Sequence, residues 1–162
     1  MIPEAPDDRF LCPMIKPTRE EIISVISSTP PHPGAVVDEM ALPSYLHSNS
    51  LIRWLMWRRL EYAYDLAQIQ EDANVLDFGC GTGLLLPELC RVAENVYAVD
   101  IFPDYAKSMV ALYDLEVSFV DDLIEIDDNS LDVILATDVL EHIDELDEYI
   151  GLFKKSSSGR AG

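Results

Sequence analysis

Apolar and polar residues follow two different periods along the chain, and the period changes near residue 70. From Ser50 to about Gln70 the apolar residues recur at helical spacing, which predicts one helix with Ser50 as its N-terminal cap. Beyond it, short and almost continuous apolar runs are separated by further stretches of helical period. Strands of that kind are typical of a parallel sheet that is covered on both faces. The apolar residues of the first helix are Leu51, Leu55, Tyr62, Leu66 and Ile69.

Strands and helices alternate in the second part of the chain. The expected strands are 74–78, 95–99, 116–120 and 131–136, and the expected helices are 84–92, 103–113 and 143–155. Pro87 is tolerated in the first of these helices only if the helix begins near it. The predicted fold class is therefore α/β, with an incomplete parallel sheet of about four strands and helices on both faces.

The two ends of the chain differ in composition from the part between them. Residues 1–49 are punctuated by prolines and predict a mostly irregular extension. One short helix is expected at 18–27, where Thr18 can cap and Glu21 has capping-box spacing. Residues 50–155 are expected to form the folded domain, and residues 156–162 a flexible tail or the turn into a further strand. A sheet that stops at four strands keeps an unpaired edge, through which two chains could associate as a homo-oligomer.

The charge and the cysteines narrow the classes of partner. The formal net charge is −19, and fourteen acidic residues but no Lys or Arg lie between Ser108 and Phe153. This region is best interpreted as a solvated acidic face, and such a charge argues against nucleic acid as a partner. Arginines interrupt the most apolar segment, so no membrane span is expected. Three cysteines without a CxxC motif, and no signal peptide, predict a cytoplasmic protein.

A glycine-rich turn carries the strongest chemical signal. Gly79, Gly81 and Gly83 follow the first strand and open a helix, a geometry in which a nucleotide can approach the backbone. Asp77 stands two residues before the first glycine, where a carboxylate suits a ligand with an ammonium group. Asp100 closes the second strand and can accept hydrogen bonds from both hydroxyls of a ribose. The ligand is expected in the crevice at the carboxyl ends of the strands.

Four segments in the correct order resemble a known family. Residues 75–83, VLDFGCGTG, resemble the first signature of the S-adenosylmethionine-dependent methyltransferases of Rossmann-like fold, and residues 96–100 resemble the second. Residues 128–134 and 138–143 resemble the run through the fourth strand in the small-molecule branch of that family. The resemblance covers roughly residues 51–160 and implies the N-terminal half of such a domain, ending where the fifth of seven strands would begin.

The resemblance also implies a role for each matching residue. The glycine turn with Cys80 would pass beneath the methionine portion of S-adenosylmethionine, with Asp77 on its amino group and Asp100 on its ribose. Ile101 would flank the adenine, Asp121 or Asp122 would reach the adenine amino group, and Leu123 would stack nearby. Thr137 and Asp138 would face the methyl donor. The implied cofactor-binding residues are Asp77, Gly79, Cys80, Gly81, Gly83, Asp100, Ile101, Asp121, Asp122, Leu123, Thr137 and Asp138.

Few residues are candidates for work on the acceptor. A general base is needed only if the acceptor must lose a proton, and His142 is the candidate catalytic residue. A structural or cofactor-adjacent role is an open alternative for it. A divalent metal on Asp138, Glu141 and His142 is another, but no fourth ligand is visible, so no metal is expected. Cys80 is better interpreted as a small residue filling the turn than as a nucleophile.

The segment 53–59, RWLMWRR, is the only basic and aromatic-rich stretch. It could form part of a lid for an anionic or aromatic acceptor. We favour a helix whose Trp and Leu side chains pack on the sheet while its arginines pair with the acidic face.

Three functions are consistent with the sequence. The first is a methyltransferase (EC 2.1.1 type) acting on a small-molecule acceptor, with the activity of this shortened chain open. The second is a non-catalytic or regulatory module that binds S-adenosylmethionine. The third is an NAD-type dehydrogenase domain, which Asp77 and the glycine spacing count against.

Overall fold

The computed structural model describes residues 13–30 and 42–159. The helices are α1 (Arg19–Ser28), α2 (Leu42–Tyr45), α3 (Ser50–Ala67), α4 (Leu86–Val92), α5 (Asp104–Tyr113) and α6 (Leu146–Ser156). The strands are β1 (Asn74–Phe78), β2 (Asn95–Val99), β3 (Ser118–Phe119) and β4 (Val133–Leu135). Single turns of 3-10 helix lie at Leu123–Glu125 and Leu140–His142.

The four strands form one parallel sheet in the order β3-β2-β1-β4. β1 is central, paired along its whole length with β2 and over three residues with β4. This confirms the predicted α/β class. β3 and β4 are shorter than the apolar runs at 116–120 and 131–136, because only the residues that meet a neighbouring strand form ladder pairs.

Two hydrophobic clusters cover the two faces of the sheet. Because successive strand residues point to opposite faces, Val75 belongs to one cluster and Leu76 and Phe78 to the other. The first cluster takes buried residues from α1 to α5, and the second is packed by residues of α6 and the Leu123–Glu125 turn. The sheet therefore has helices on both faces, as the continuous apolar strands predict.

Two helices, α1 and α3, begin at side-chain caps. Thr18 and Glu21 form the predicted capping box at the start of α1, with Glu21 N–H donating to Thr18 Oγ1 at 3.2 Å. At α3 the predicted cap was wrong. Asn49, one residue before Ser50, accepts the Leu51 N–H at 2.9 Å, and Ser50 is the first helical residue. The carboxamide of asparagine competes as well as a serine hydroxyl for this position.

The buried face of α3 also differs from the prediction. Leu51, Leu55, Tyr62 and Leu66 are all exposed, Leu66 by 66%. The helix is buried through Leu60, with half-buried residues around it that pack on the first cluster. Those half-buried residues are Met56, Trp57, Tyr64 and Ala67.

Of the three arginines in the segment 53–59 only one pairs with the acidic region as expected, since Arg53 donates to the backbone carbonyls of His47 and Ser48 instead. Arg59 pairs with Asp138 of the acidic region, and Arg58 pairs with Glu61 of the same helix. Trp57 packs on Tyr45, whereas Trp54 is exposed. The favoured interpretation of this segment therefore holds for Arg59 and for one of its two tryptophans, but not for Arg53, Arg58 or Leu55.

The start of α4 and the end of α6 complete the frame around the sheet. Pro87 is the second residue of α4, which satisfies the condition set by its missing N–H. After α6, Ser157 forms a parallel bridge with Leu131, and the Ser158 N–H donates to the Leu131 carbonyl at 2.6 Å. The first residues of the predicted tail are thus bonded beside β4, while residues 160–162 lie outside the described residues.

None of the helices in the described ranges is long and apolar enough to cross a membrane.

Candidate functional site

A cleft opens at the carboxyl ends of β1, β2 and β4. The glycine turn forms its floor, the residues after β2 form one wall, and the residues after β4 form another. Tyr45 from α2 and Leu60 from α3 contribute a third side. Among the described residues it is lined by Tyr45, Leu60, Asp77, Gly79, Cys80, Gly81, Thr82, Leu84, Leu85, Asp100, Ile101, Phe102, Thr137, Asp138, Val139 and His142.

Two glycines of the turn are required by backbone angle and by space. Gly79 has φ +73°, and a Cβ there would lie 2.5 Å from Val139 Cγ2. Gly83 also has φ +73°, and a Cβ there would lie 3.2 Å from the Ala106 Cα. An L side chain would therefore be strained at both positions and would push the turn away from its neighbours.

The turn is tied to the end of β2 by its own amides. The N–H groups of Gly79 and Cys80 donate to the Val99 carbonyl at 2.9 Å and 3.2 Å, and the Gly83 N–H donates to the Cys80 carbonyl at 2.8 Å. The Gly81 N–H donates to Asp100 Oδ2 at 2.7 Å. These bonds hold the glycine turn and Asp100 as one rigid unit.

Asp100 is oriented through both of its carboxylate oxygens. Besides the bond from Gly81, its Oδ1 accepts the Phe102 N–H at 2.8 Å. A carboxylate oxygen can accept more than one hydrogen bond, so both oxygens keep capacity for a ligand. The side chain is fixed in advance for a pair of donors such as two vicinal hydroxyls.

Asp77 is buried without a partner. Asp77 is only 3% exposed, and no donor in the described ranges forms a hydrogen bond to its carboxylate. Burial, and secondarily the charge of Asp100, raise the pKa of Asp77 to about 7. A buried carboxylate is costly unless a cation or donors accompany it. The arrangement therefore suits a ligand that brings its own positive charge, which is what an ammonium group does.

Cys80 is a buried thiol in the same turn. Burial raises its pKa well above the usual range, and the charges of Asp77 and Asp100 raise it further. The thiol is therefore protonated at neutral pH and is not an activated nucleophile. This agrees with its interpretation as a small residue that fills the turn.

The residues after β2 and β4 form the rim. Ile101 is 83% exposed beside Asp100. Thr137 and Asp138 follow β4, and Asp138 has φ +57°, a backbone angle that non-glycine residues rarely adopt. His142 ends the following 3-10 turn and also lines the cleft. The structure thus brings four of the predicted site residues to the rim.

Three predicted adenine residues lie apart from this lining. Asp122 caps the Leu123–Glu125 turn by accepting the Ile124 N–H at 3.1 Å, and the Asp121 N–H donates to Glu125. Leu123 is buried in the second hydrophobic cluster. In this structure the three residues serve the turn and the core, and their part in cofactor binding stays a prediction.

Metal ligands do not cluster in the described ranges. No group of three His, Cys, Asp or Glu side chains there is arranged to hold a metal ion. Asp138 is instead paired with Arg59.

Sequence reasoning did not assign Thr82, Leu84, Leu85, Phe102 and Val139 of the cleft lining, and it also missed three residues on the α2–α3 side of the cleft. Tyr45 and Leu60 line it, and Arg59 reaches its rim through the ion pair with Asp138. Tyr45 carried no signal, since α2 is only four residues long. Leu60 and Arg59 could have been found from the second apolar face of α3, the one that contains Met56, Trp57 and Tyr64.

Comparisons with known proteins agree on one family. Residues 34–159 match the family described as "Methyltransferase domain". A ubiquinone biosynthesis O-methyltransferase from Xanthomonas euvesicatoria is 34% identical over 93 residues, which cover 52% of this chain and 38% of that protein. The chain therefore spans well under half the length of this curated relative.

Solved structures share the fold at low sequence identity. A SAM-dependent methyltransferase from Aquifex aeolicus is 24% identical, with a TM-score of 0.51 over 60% of this chain and 57% of that one. The [4+2]-cyclase SpnF is 18% identical, with a TM-score of 0.61 over 88% of this chain and 58% of that one. These likenesses show a Rossmann-like fold.

Proposed function

Because the chain belongs to the methyltransferase domain family, we propose that it binds S-adenosylmethionine in the cleft and serves methyl transfer to a small-molecule acceptor. One observation carries the proposal: the unpartnered, buried carboxylate of Asp77 lies beside the glycine turn and the preset carboxylate of Asp100. The first suits an ammonium group and the second suits two ribose hydroxyls. A dinucleotide would bring a pyrophosphate in place of the ammonium group, and Asp77 would repel it.

The residues of the cleft fit the cofactor part by part. Bound S-adenosylmethionine supplies an electrophilic methyl group on its sulfonium. Asp77 binds the amino group of the methionine portion, and Asp100 accepts hydrogen bonds from the ribose. The glycine turn lets the cofactor lie close against the backbone, since no side chain projects from Gly79 or Gly81. Cys80 and Gly83 complete this turn.

In the proposal, the rim residues contact the adenine and the methyl-donor end of the cofactor. Ile101 flanks the adenine with its exposed side chain, and Thr137 and Asp138 face the methyl donor. Asp121, Asp122 and Leu123 are assigned to the adenine by the family resemblance alone. Residues 50–155 form the cofactor-binding domain, preceded by the extension 1–49 and followed by the segment 156–162.

Methyl transfer is an in-line displacement, so the chain contributes mainly orientation and proximity. A hydroxyl acceptor must also lose a proton, and His142 is the residue on the cleft wall suited to take it. The relative's printed name, an O-methyltransferase, supports such an acceptor. Exchanging His142 for Asn should then lower kcat while cofactor affinity stays the same; an unchanged kcat would assign His142 a structural role.

The net charge, the cysteine usage and the sheet edge bear on the partners and the compartment of the protein. A chain with a net charge of −19 is suited to a small-molecule acceptor rather than to nucleic acid. We place it in the cytoplasm on its cysteine usage. Within residues 42–159 no strand pairs with the outer side of β4 beyond Leu131, and two chains could associate there.

A second function from a different class is a non-catalytic module that binds S-adenosylmethionine. Incubation with S-adenosylmethionine and a panel of small hydroxyl compounds, including catechols, separates the two. We expect release of S-adenosylhomocysteine that depends on an acceptor and is lost in Asp100→Ala. If the chain binds the cofactor tightly but releases no S-adenosylhomocysteine with any acceptor, it is a binding module and not an enzyme.

A further inference from the structure

Tyr45 is a cleft residue for which the fold gives no internal role beyond packing. It ends α2, is 4% exposed and lines the cleft. Its ring meets Trp57 edge to face, with 5.3 Å between the ring centroids and an interplanar angle of 72°. The ring is therefore held in place before any ligand arrives.

The hydroxyl of Tyr45 has no hydrogen-bond partner in the part of the chain that the structure describes. Buried hydroxyls in folded proteins are nearly always bonded. Burial raises the pKa of Tyr45 to about 12, while the charge of Arg59 acts in the opposite direction. Tyr45 is therefore a neutral donor at physiological pH, placed within the field of a cation.

Four amides of the glycine turn are already committed. The N–H groups of Gly79, Cys80 and Gly83 donate to carbonyls, and that of Gly81 donates to Asp100. Within the described residues only the Thr82 N–H of this turn has no acceptor, so a carboxylate with two oxygens that lies on the turn needs a further donor from the cleft wall. The three cleft carboxylates, Asp77, Asp100 and Asp138, would repel it.

We propose that the Tyr45 hydroxyl donates a hydrogen bond to the carboxylate of the methionine portion of S-adenosylmethionine. The inference rests on the proposed function, which places that portion over the glycine turn with its amino group at Asp77. The carboxylate is carried on the same carbon as that amino group, so it lies over the same turn. Tyr45 is then a binding residue that orients the amino-acid end of the cofactor.

Thr82 is the alternative donor. It is also buried in the cleft, and its hydroxyl has no partner within residues 13–30 and 42–159. Tyr45 is preferred because its ring is already held in place by Trp57 on the α2 side of the cleft, whereas Thr82 lies on the glycine turn, which is bonded to the carboxylate of Asp100.

The test compares S-adenosylmethionine with its decarboxylated form, which keeps the sulfonium and the ammonium group but lacks the carboxylate. Titration calorimetry on the full chain should show that Tyr45→Phe weakens binding of S-adenosylmethionine about tenfold, the scale of a hydrogen bond to a charged group. Binding of the decarboxylated form should change less than twofold. Tyr62→Phe, the same change on an exposed tyrosine of α3 outside the lining, should affect neither ligand.

Other outcomes overturn the inference in distinguishable ways. If Tyr45→Phe weakens the binding of both ligands equally, Tyr45 acts only through packing. If it weakens the binding of neither, Tyr45 has no role in binding. If only Thr82→Val selectively weakens the binding of S-adenosylmethionine, the carboxylate is bound by the Thr82 hydroxyl on the glycine turn. If Tyr45→Phe does not fold, the wild-type chain still decides: equal affinity for the two ligands would mean that the carboxylate has no partner. Failure of the wild type to bind either ligand would refute the proposed function itself.

Discussion

Replacing Asp77 with asparagine is expected to remove a pH dependence from the stability of the ligand-free protein. Burial and the neighbouring Asp100 raise the pKa of Asp77 from an ordinary value of 3.8 to about 7. For an acid whose pKa is raised by folding, the folded state binds the extra proton. Below the pKa of the unfolded state the buried carboxyl group therefore does not lower the free energy of unfolding. As the pH rises from about 4 to about 7, it lowers the free energy of unfolding by an increasing amount.

The magnitude follows from the size of the shift. One pKa unit corresponds to about 1.4 kcal/mol. A shift of about three units costs roughly 4 kcal/mol at pH 8, where Asp77 is ionised in both states, and roughly 1 to 2 kcal/mol at pH 5. The free energy of unfolding of the wild type relative to Asp77→Asn should therefore fall by about 2 to 3 kcal/mol between pH 5 and pH 8. The buried amide of asparagine has its own cost, but that cost is the same at both pH values and cancels.

Urea denaturation of the two proteins at pH 5 and pH 8, without ligand, measures this difference. Asp127→Asn removes an exposed aspartate outside the cleft and corrects for the change in net charge. Its profile should run parallel to that of the wild type. If Asp77→Asn also runs parallel to the wild type, Asp77 is not a strained buried carboxylate, and the argument for an ammonium ligand fails with it.

Three further predictions follow from the cleft and its frame. Asp100→Ala should weaken cofactor binding by at least about 1 kcal/mol, measured by calorimetry; unchanged affinity in a folded variant would refute the ribose assignment. Gly79→Ala should lower the melting temperature and the affinity together, because its Cβ meets Val139; a melting curve like that of the wild type would show that the turn can yield. Asn49→Ala should lower the free energy of unfolding by about 1 kcal/mol and Ser50→Ala by much less, measured in urea; the reverse order would restore Ser50 as the cap.

The glycine turn and the two strands around it could be predicted from the sequence because their information is local. A buried strand reads as a continuous apolar run, and positive φ angles at Gly79 and Gly83 select glycine at those positions. β1 and β2 accordingly have the predicted bounds, 74–78 and 95–99. Asp77 and Asp100 follow from the same strands, since each stands at or directly after a strand end.

The face of α3 could not be predicted in the same way. The helix carries two apolar stripes, and the more regular one, with Leu51 and Leu66, is exposed. Which stripe is buried is decided by contacts with α2 and β4, and the periodicity within α3 does not choose between the two stripes. Leu60 and Tyr45 were missed for the same reason, whereas Arg59 was expected to pair with the acidic region but not at the cleft. The turn at 121–125 shows the converse: its acidic residues were assigned to a ligand, while one of them, Asp122, caps a local turn.

Direct binding tests the central claim, that the cleft holds S-adenosylmethionine. Titration calorimetry should give one site per chain for S-adenosylmethionine, weakened in Asp100→Ala, and no measurable heat for NADH under the same conditions. Binding of NADH without binding of S-adenosylmethionine would contradict the account, because the carboxylate of Asp77 would then face a pyrophosphate.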